Sequence, residues 1–253
     1  MKKLIVILMF LATGLWAFSS MNIIDTPTSD TLLRGYYDIY LSAYEAGGIK
    51  TKVAIGLSDR ITLGISEDVG GVIGDGNVTW TIPGVMAKLN IFNYTEKKMG
   101  LAIGYNNFYG GEYGKTTIIE TNSEGTISSR KEVIYGLYAV TTLPIQFFGQ
   151  QLFSFGARYP LLPIKMPKTG SDLNLFANFS FAFNPELKLN AELENISLSS
   201  LDRNRPILNA GFVYVAGDVL SVSLDFRYSL SDTLNPLKNP SRSIVIEYQN
   251  LFY

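Results

Sequence analysis

The sequence predicts an all-β fold: a closed, antiparallel, up-and-down transmembrane β-barrel of about twelve strands. Three observations carry that expectation. Segments of roughly ten residues alternate apolar and polar side chains along most of the chain. The connections between them alternate between short and long. The final segment, Ser243-Ile244-Val245-Ile246-Glu247-Tyr248-Gln249-Asn250-Leu251-Phe252-Tyr253, reads as a strand to its last, aromatic residue. Chain ends usually fray for want of partners, so a terminal strand of this kind suits a sheet that closes on itself.

The chain opens with Met1-Lys2-Lys3, followed by an apolar run from Leu4 to Leu15 broken only by Thr13 and Gly14. Ala17-Phe18-Ser19 then puts small residues at the two positions a signal peptidase reads. The run is too short to span a bilayer. Residues 1–19 are therefore expected to be a cleaved secretory signal peptide, and 20–253 a single barrel domain. Cysteine is absent, which excludes a lipid-bearing Cys and a disulfide framework. No later segment has an apolar run long enough for a transmembrane helix. A membrane location must then come from strands, and only a closed barrel satisfies a strand backbone in lipid. The bacterial outer membrane is the expected location, with its lipid as the surrounding partner. Without Lys2 and Lys3 the chain keeps 19 basic against 22 acidic residues. No basic stripe exists, so nucleic acid is not an expected partner.

In order along the chain, the alternation predicts strands over 34–46, 48–58, 60–68, 84–94, 98–108, 131–143, 150–159, 171–183, 186–196, 205–216, 219–230 and 242–253. The second is the cleanest: Ile49, Thr51, Val53, Ile55 and Leu57 interleave with Lys50, Lys52, Ala54, Gly56 and Ser58. The ninth sets Leu187, Leu189, Ala191 and Leu193 against Lys188, Asn190, Glu192 and Glu194. In the eleventh, Leu220, Val222, Leu224, Phe226 and Tyr228 oppose Ser221, Ser223, Asp225 and Arg227. Every second connection is short, as at Asn184-Pro185 and Gly217-Asp218, and most of the others are long, as from Tyr109 to Arg130. Outer-membrane barrels pair short periplasmic turns with long external loops in this way. An even strand count leaves both termini periplasmic. Tyr36, Tyr37, Tyr40, Tyr44, Trp80, Tyr105, Phe108, Tyr109, Phe147, Phe148, Phe252 and Tyr253 cluster at strand ends or in the adjoining loop, where amphipathic rings form interfacial girdles.

Over its mature length the chain resembles the bacterial outer-membrane β-barrel superfamily, with a small, porin-like barrel. Members end in an aromatic read by the barrel-assembly machinery, and Leu251 and Tyr253 match the final apolar-x-aromatic element. Tyr248 stands where that signal has glycine. The resemblance implies the assembly machinery as a partner during biogenesis. The stretch Ile24-Asp25-Thr26-Pro27-Thr28-Ser29-Asp30-Thr31-Leu32, followed by Gly35, is similar to the lead into the first strand of YjbH-like barrels.

The chain has no histidine. That removes Ser-His-Asp hydrolysis, a phospholipase barrel with a Ser-His-Asn site, and His-containing metal centres. Gly114-Lys115-Thr116 lacks the leading glycine and the strand-to-helix setting of a phosphate loop. The acidic, glycine-rich loop Glu67 to Asn77 lacks the ligand spacing of a calcium loop. No catalytic residue, cofactor or metal is expected, and the chain is not read as an enzyme.

Placing the more polar face of each strand inward puts Lys50, Lys52, Lys88, Arg158, Lys188 and Arg227 in the lumen, against Asp38, Glu192, Glu194, Asp225 and Glu247. Neither sign dominates, whereas selective pores carry a ring or ladder of one sign. The expected function is a narrow, weakly selective channel for small hydrophilic solutes, narrowed by the Tyr109–Arg130 loop. The alternative is a non-conducting structural or interaction barrel.

Overall fold

The computed structural model describes residues 21–252 except 75–76, 81–82, 96–97, 108–114, 122–126, 134–135, 146–149, 161–172, 198–205 and 231–240. The predicted signal peptide, Tyr253, Phe108, Tyr109, Phe147 and Phe148 lie outside the described residues.

Fifteen strands are present among the described residues. They are β1 (Tyr36–Tyr44), β2 (Gly48–Ser58), β3 (Ile61–Gly70), β4 (Thr79–Trp80), β5 (Gly84–Phe92), β6 (Gly100–Asn106), β7 (Lys115–Thr121), β8 (Ile127–Val133), β9 (Gly136–Ile145), β10 (Gln150–Pro160), β11 (Asn174–Ala182), β12 (Leu187–Ser197), β13 (Ile207–Ala216), β14 (Leu220–Ser229) and β15 (Ser241–Leu251). Twelve of them pair antiparallel in a ring. β1 meets β15 from Tyr36↔Leu251 to Tyr44↔Ser243, and that seam closes the sheet on itself. The short β4 adds to the end of β3, and β7 with β8 forms a separate two-stranded sheet.

The expected all-β barrel is what forms, with one strand displaced. Residues 131–133, assigned from their alternation to the sixth barrel strand, belong to β8, and the barrel strand starts at Gly136. The reason is local pairing: Lys115 to Thr121 folds back on Ile127 to Val133 in continuous register. A hairpin and a barrel strand share the same period-2 pattern, so alternation alone does not separate them.

The burial pattern is inverted relative to a water-soluble protein. Asp38, Lys50, Lys88, Arg158, Glu192 and Asp225 are buried, while Ile39, Leu41, Ile65, Leu89, Phe212, Ile244 and Ile246 are exposed. Along β15 the two classes alternate residue by residue: Ser243 is 2% exposed and Ile244 56%. An apolar outer band around a polar interior is the signature of a lipid-facing barrel. Two girdle assignments are corrected. Tyr40 is buried inside, with the Lys52 ammonium 4.0 Å from its ring centre, and the Tyr44 hydroxyl donates to buried Asp68 at 2.6 Å. Both rings point inward because they share the inner face of β1 with Asp38 and Ser42. Tyr37 and Phe252 do meet at the seam, with ring centres 4.6 Å apart.

Candidate functional site

Residues 21–32, ahead of β1, fold into the bore. Leu32 N–H donates to Thr62 Oγ1 at 2.9 Å, Thr31 Oγ1 to the Asp59 carbonyl at 3.1 Å and Arg34 N–H to Asp59 Oδ1 at 3.0 Å. The segment therefore enters at the β2–β3 turn, on the short-turn end. The chain doubles back at Ile24-Asp25, and Pro27, whose missing N–H leaves no donor to satisfy, stands on the returning arm. Asn22 bridges Pro27, Ile23 N–H donates to the Thr26 carbonyl, and Thr28 N–H to the Met21 carbonyl, both at 3.0 Å. The result is a miniature hairpin with Ile24 and Asp25 at its tip. Met21 of the hairpin and Leu32 farther along the segment pack with Ala54 and Met86 on the wall.

One row of the barrel receives this hairpin. Gly100, Thr142, Ser154, Asn178, Glu192, Asn209, Arg227 and Ser241 stand opposite one another in unbroken register from β6 to β15. Strand period 2 and cross-strand pairing put all of these on the same face. Ser29 N–H donates to Thr142 Oγ1 at 2.8 Å, and the Thr142 and Ser154 hydroxyls bond each other at 2.9 Å. Asn178 Nδ2 donates to Thr26 Oγ1 at 2.8 Å and to the Pro27 carbonyl at 3.1 Å. Gly100 is required where the segment passes, because a Cβ there would lie 2.4 Å from Ser29 Oγ.

Glu192 is the centre of the seat. Its Oε1 accepts the N–H groups of Ile24 (2.5 Å), Asp25 (3.0 Å) and Thr26 (3.0 Å) and the Thr26 hydroxyl (2.8 Å). Its Oε2 accepts Asp25 N–H at 3.0 Å and Asn209 Nδ2 at 3.1 Å. Successive backbone N–H groups turned toward one point form an anion-binding nest, and here the anion is a wall carboxylate. On the other side of the tip, Arg227 Nε donates to Asp25 Oδ2 at 2.5 Å and Arg227 Nη1 to Ser243 Oγ at 2.6 Å. Burial alone would push the Asp25 carboxyl up; Arg227, Lys50 and Lys52 outweigh it and hold it well below the usual carboxylate range.

Further contacts hold the arms of the hairpin. Lys88 Nζ donates to the Met21 carbonyl at 2.9 Å, Asn90 Nδ2 to the Ser29 carbonyl at 2.6 Å, and Asn190 Nδ2 to the Ile23 carbonyl at 3.2 Å. Half-buried Asp30 accepts the Tyr94 hydroxyl at 3.1 Å. Burial pushes its carboxyl up to about 6, against the lowering effects of Lys88, Tyr94 and Lys188. A cavity of about 50 Å³ remains beside the hairpin, bordered by Asp38, Lys52, Asp225 and Glu247.

Of the eleven residues assigned inward from sequence, ten are buried and Glu247 is half-buried. Glu192, Arg227 and Lys88 touch the hairpin directly. Arg158 pairs instead with Glu194 at 3.4 Å and lies 5.3 Å from the Phe176 ring centre. The bonds of Glu192 and Glu194 go to the hairpin, Asn209 and Arg158. Sequence reasoning missed Thr62, Asn90, Thr142, Asn178 and Asn209, since uncharged polar residues at inward positions carry no signal of their own. Among the described residues the stretch 21–32 fills the bore; the Tyr109–Arg130 loop expected to narrow it lies in part outside the described residues.

Fold and site together define a twelve-stranded barrel with a polar, internally occupied bore. No family model and no curated protein matches the chain. Among solved structures it is similar to the KdgM porin, with a TM-score of 0.52 and 8% identity over 86% of this chain and 99% of that one. It is equally similar to the KdgM porin in complex with disordered oligogalacturonate, at TM-score 0.52 and 9% identity over 86% and 99% of the two chains. The outer membrane protein Omp33 of Acinetobacter baumannii aligns with a TM-score of 0.46 and 10% identity over 87% and 99%. At these identities the likeness to the KdgM porin is one of fold.

Proposed function

We propose that this protein is an outer-membrane channel for small hydrophilic solutes, narrow and weakly charge-selective, whose bore is closed at rest by its own N-terminal segment. The observation that carries this reading is the size and chemistry of what the bore holds. It accommodates a doubled-back stretch of polypeptide, Met21 to Thr28, against walls of Asn, Ser, Thr and paired charges. The segment is tied to the barrel covalently only where it runs into β1, and elsewhere largely by hydrogen bonds. Its withdrawal leaves a passage as wide as a small hydrophilic molecule, lined by groups that water or a polar solute satisfies equally well. The described wall residues include six cations and, with Asp68, six carboxylates, which favours neither sign of ion. A porin-like fold agrees with this reading, and no step of it requires catalysis.

The density of bonds around Glu192 favours a second reading, a permanently filled structural barrel. Planar-bilayer recording separates the two. The mature chain is expected to be closed for most of the record, and Glu192→Ala to give stepwise conductance with a higher open fraction. A silent bilayer for Glu192→Ala, in protein shown to be a folded barrel, overturns the channel and leaves the structural reading.

A further inference from the structure

The hairpin tip satisfies two opposite charges of the wall with a single residue. Asp25 gives its N–H to Glu192, 3.0 Å from each carboxylate oxygen, and its side-chain carboxylate to Arg227 at 2.5 Å. Between that nitrogen and that carboxylate stand two carbons, Cα and Cβ. A free molecule with the same two ends at the same spacing is a zwitterion: an ammonium, two carbons, a carboxylate.

The geometry points to a solute site at Glu192 and Arg227 for small amino acids of that spacing, β-amino acids and aspartate among them, with Asp25 as its built-in occupant. The inference rests on the channel reading for its biological use, since the site opens to solute when the hairpin withdraws. Both ends are organised by the wall itself. Glu192, Asn209 and Arg227 are direct cross-strand neighbours on β12, β13 and β14. Asn209 donates to Glu192 Oε2 at 3.1 Å, and Ser243 accepts from Arg227 Nη1 at 2.6 Å. Those bonds do not involve the hairpin, so the carboxylate and guanidinium keep their aim when it leaves. An ammonium brings three donors and a full charge to Glu192, where Asp25 brings one neutral N–H. Lys50 and Lys52 add to the field that holds the carboxylate end.

The test uses the full mature chain refolded in micelles, with Asp25→Gly and, to vacate both ends of the site, deletion of Met21 to Thr28. β-Alanine is titrated at constant ionic strength, with calorimetry and the Arg227 Nε–Hε resonance as readouts. Propionate and propylammonium, each carrying one end only, are the comparison probes. Saturable binding of β-alanine is expected in both variants, tighter than in the parent and tighter than either one-ended probe by about tenfold or more. Adding Glu192→Gln or Arg227→Gln should abolish it. Absence of saturation in both folded variants overturns the site. So does equal binding of propionate, which marks a bare anion site, or binding that survives Glu192→Gln. A silent bilayer with intact β-alanine binding sinks the channel and spares the site; conductance without binding does the reverse.

Discussion

Replacing Glu192 by alanine leaves the N–H groups of Ile24, Asp25 and Thr26 facing a buried wall with no acceptor. Breaking one side of a buried charged network costs roughly 3–5 kcal/mol, and here the cost falls on seating the hairpin. Amide exchange at Ile24 to Thr26 should accelerate by at least about a hundredfold on that basis; unchanged exchange would show that Glu192 is not the anchor. Asp30 makes the seat pH-sensitive. Its carboxyl titrates near 6 when seated, above the ordinary value of 3.8, so the seated state holds the proton more tightly than a released one. That contribution is complete below about pH 4 and is lost as pH rises through 6. Protection of the segment should fall between pH 4.5 and 7 for this reason, and Asp30→Asn should flatten the trend. A slope that persists in Asp30→Asn assigns the effect elsewhere. At this scale the charged wall residues were legible, because a Lys or Glu at an inward position of an alternating strand stands out. Their partners were not, since Glu192 bonds to residues more than 160 positions away.

The element that decides the state of the bore is the stretch from Met21 to Leu32, which in the sequence shows only a similarity to the lead into the first strand of YjbH-like barrels. Two glycines show how tightly it is fitted. Besides Gly100, Gly56 on β2 faces it, and a Cβ there would lie 2.1 Å from the Leu33 carbonyl oxygen. Gly56→Ala should dislodge the base of the segment while the barrel persists, read as faster exchange at the Leu32 amide, which bonds Thr62. Intact protection in that variant would mean that the wall yields instead. The β7–β8 hairpin teaches a related lesson. Its residues alternate like a barrel strand, but Lys115 to Val133 pairs with itself. Period 2 identifies a strand and does not name its partner.

The whole molecule is a polar interior inside an apolar band, closed by the β1–β15 seam. Ile246 pairs with Leu41 across that seam and points outward at 43% exposure. Ile246→Arg should cost about 2–4 kcal/mol in lipid if it lies near the midplane, measured by urea unfolding in liposomes. A negligible cost there, with the full penalty absent also in short-chain lipid, would argue against this face meeting hydrocarbon. The sequence by itself determined the twelve-stranded ring, which strands carry charge and where the short turns fall. Those properties follow from local chemistry: side chains alternate across a strand, and turn length is written in consecutive residues. Only the tertiary structure decided that the bore is occupied, and by what. That outcome depends on Thr142, Asn178, Glu192, Asn209 and Arg227 arriving in one register row, and on Asp25 meeting Arg227 across 202 positions of sequence. Closure of the barrel brings those groups within hydrogen-bond reach, and no local pattern encodes that convergence.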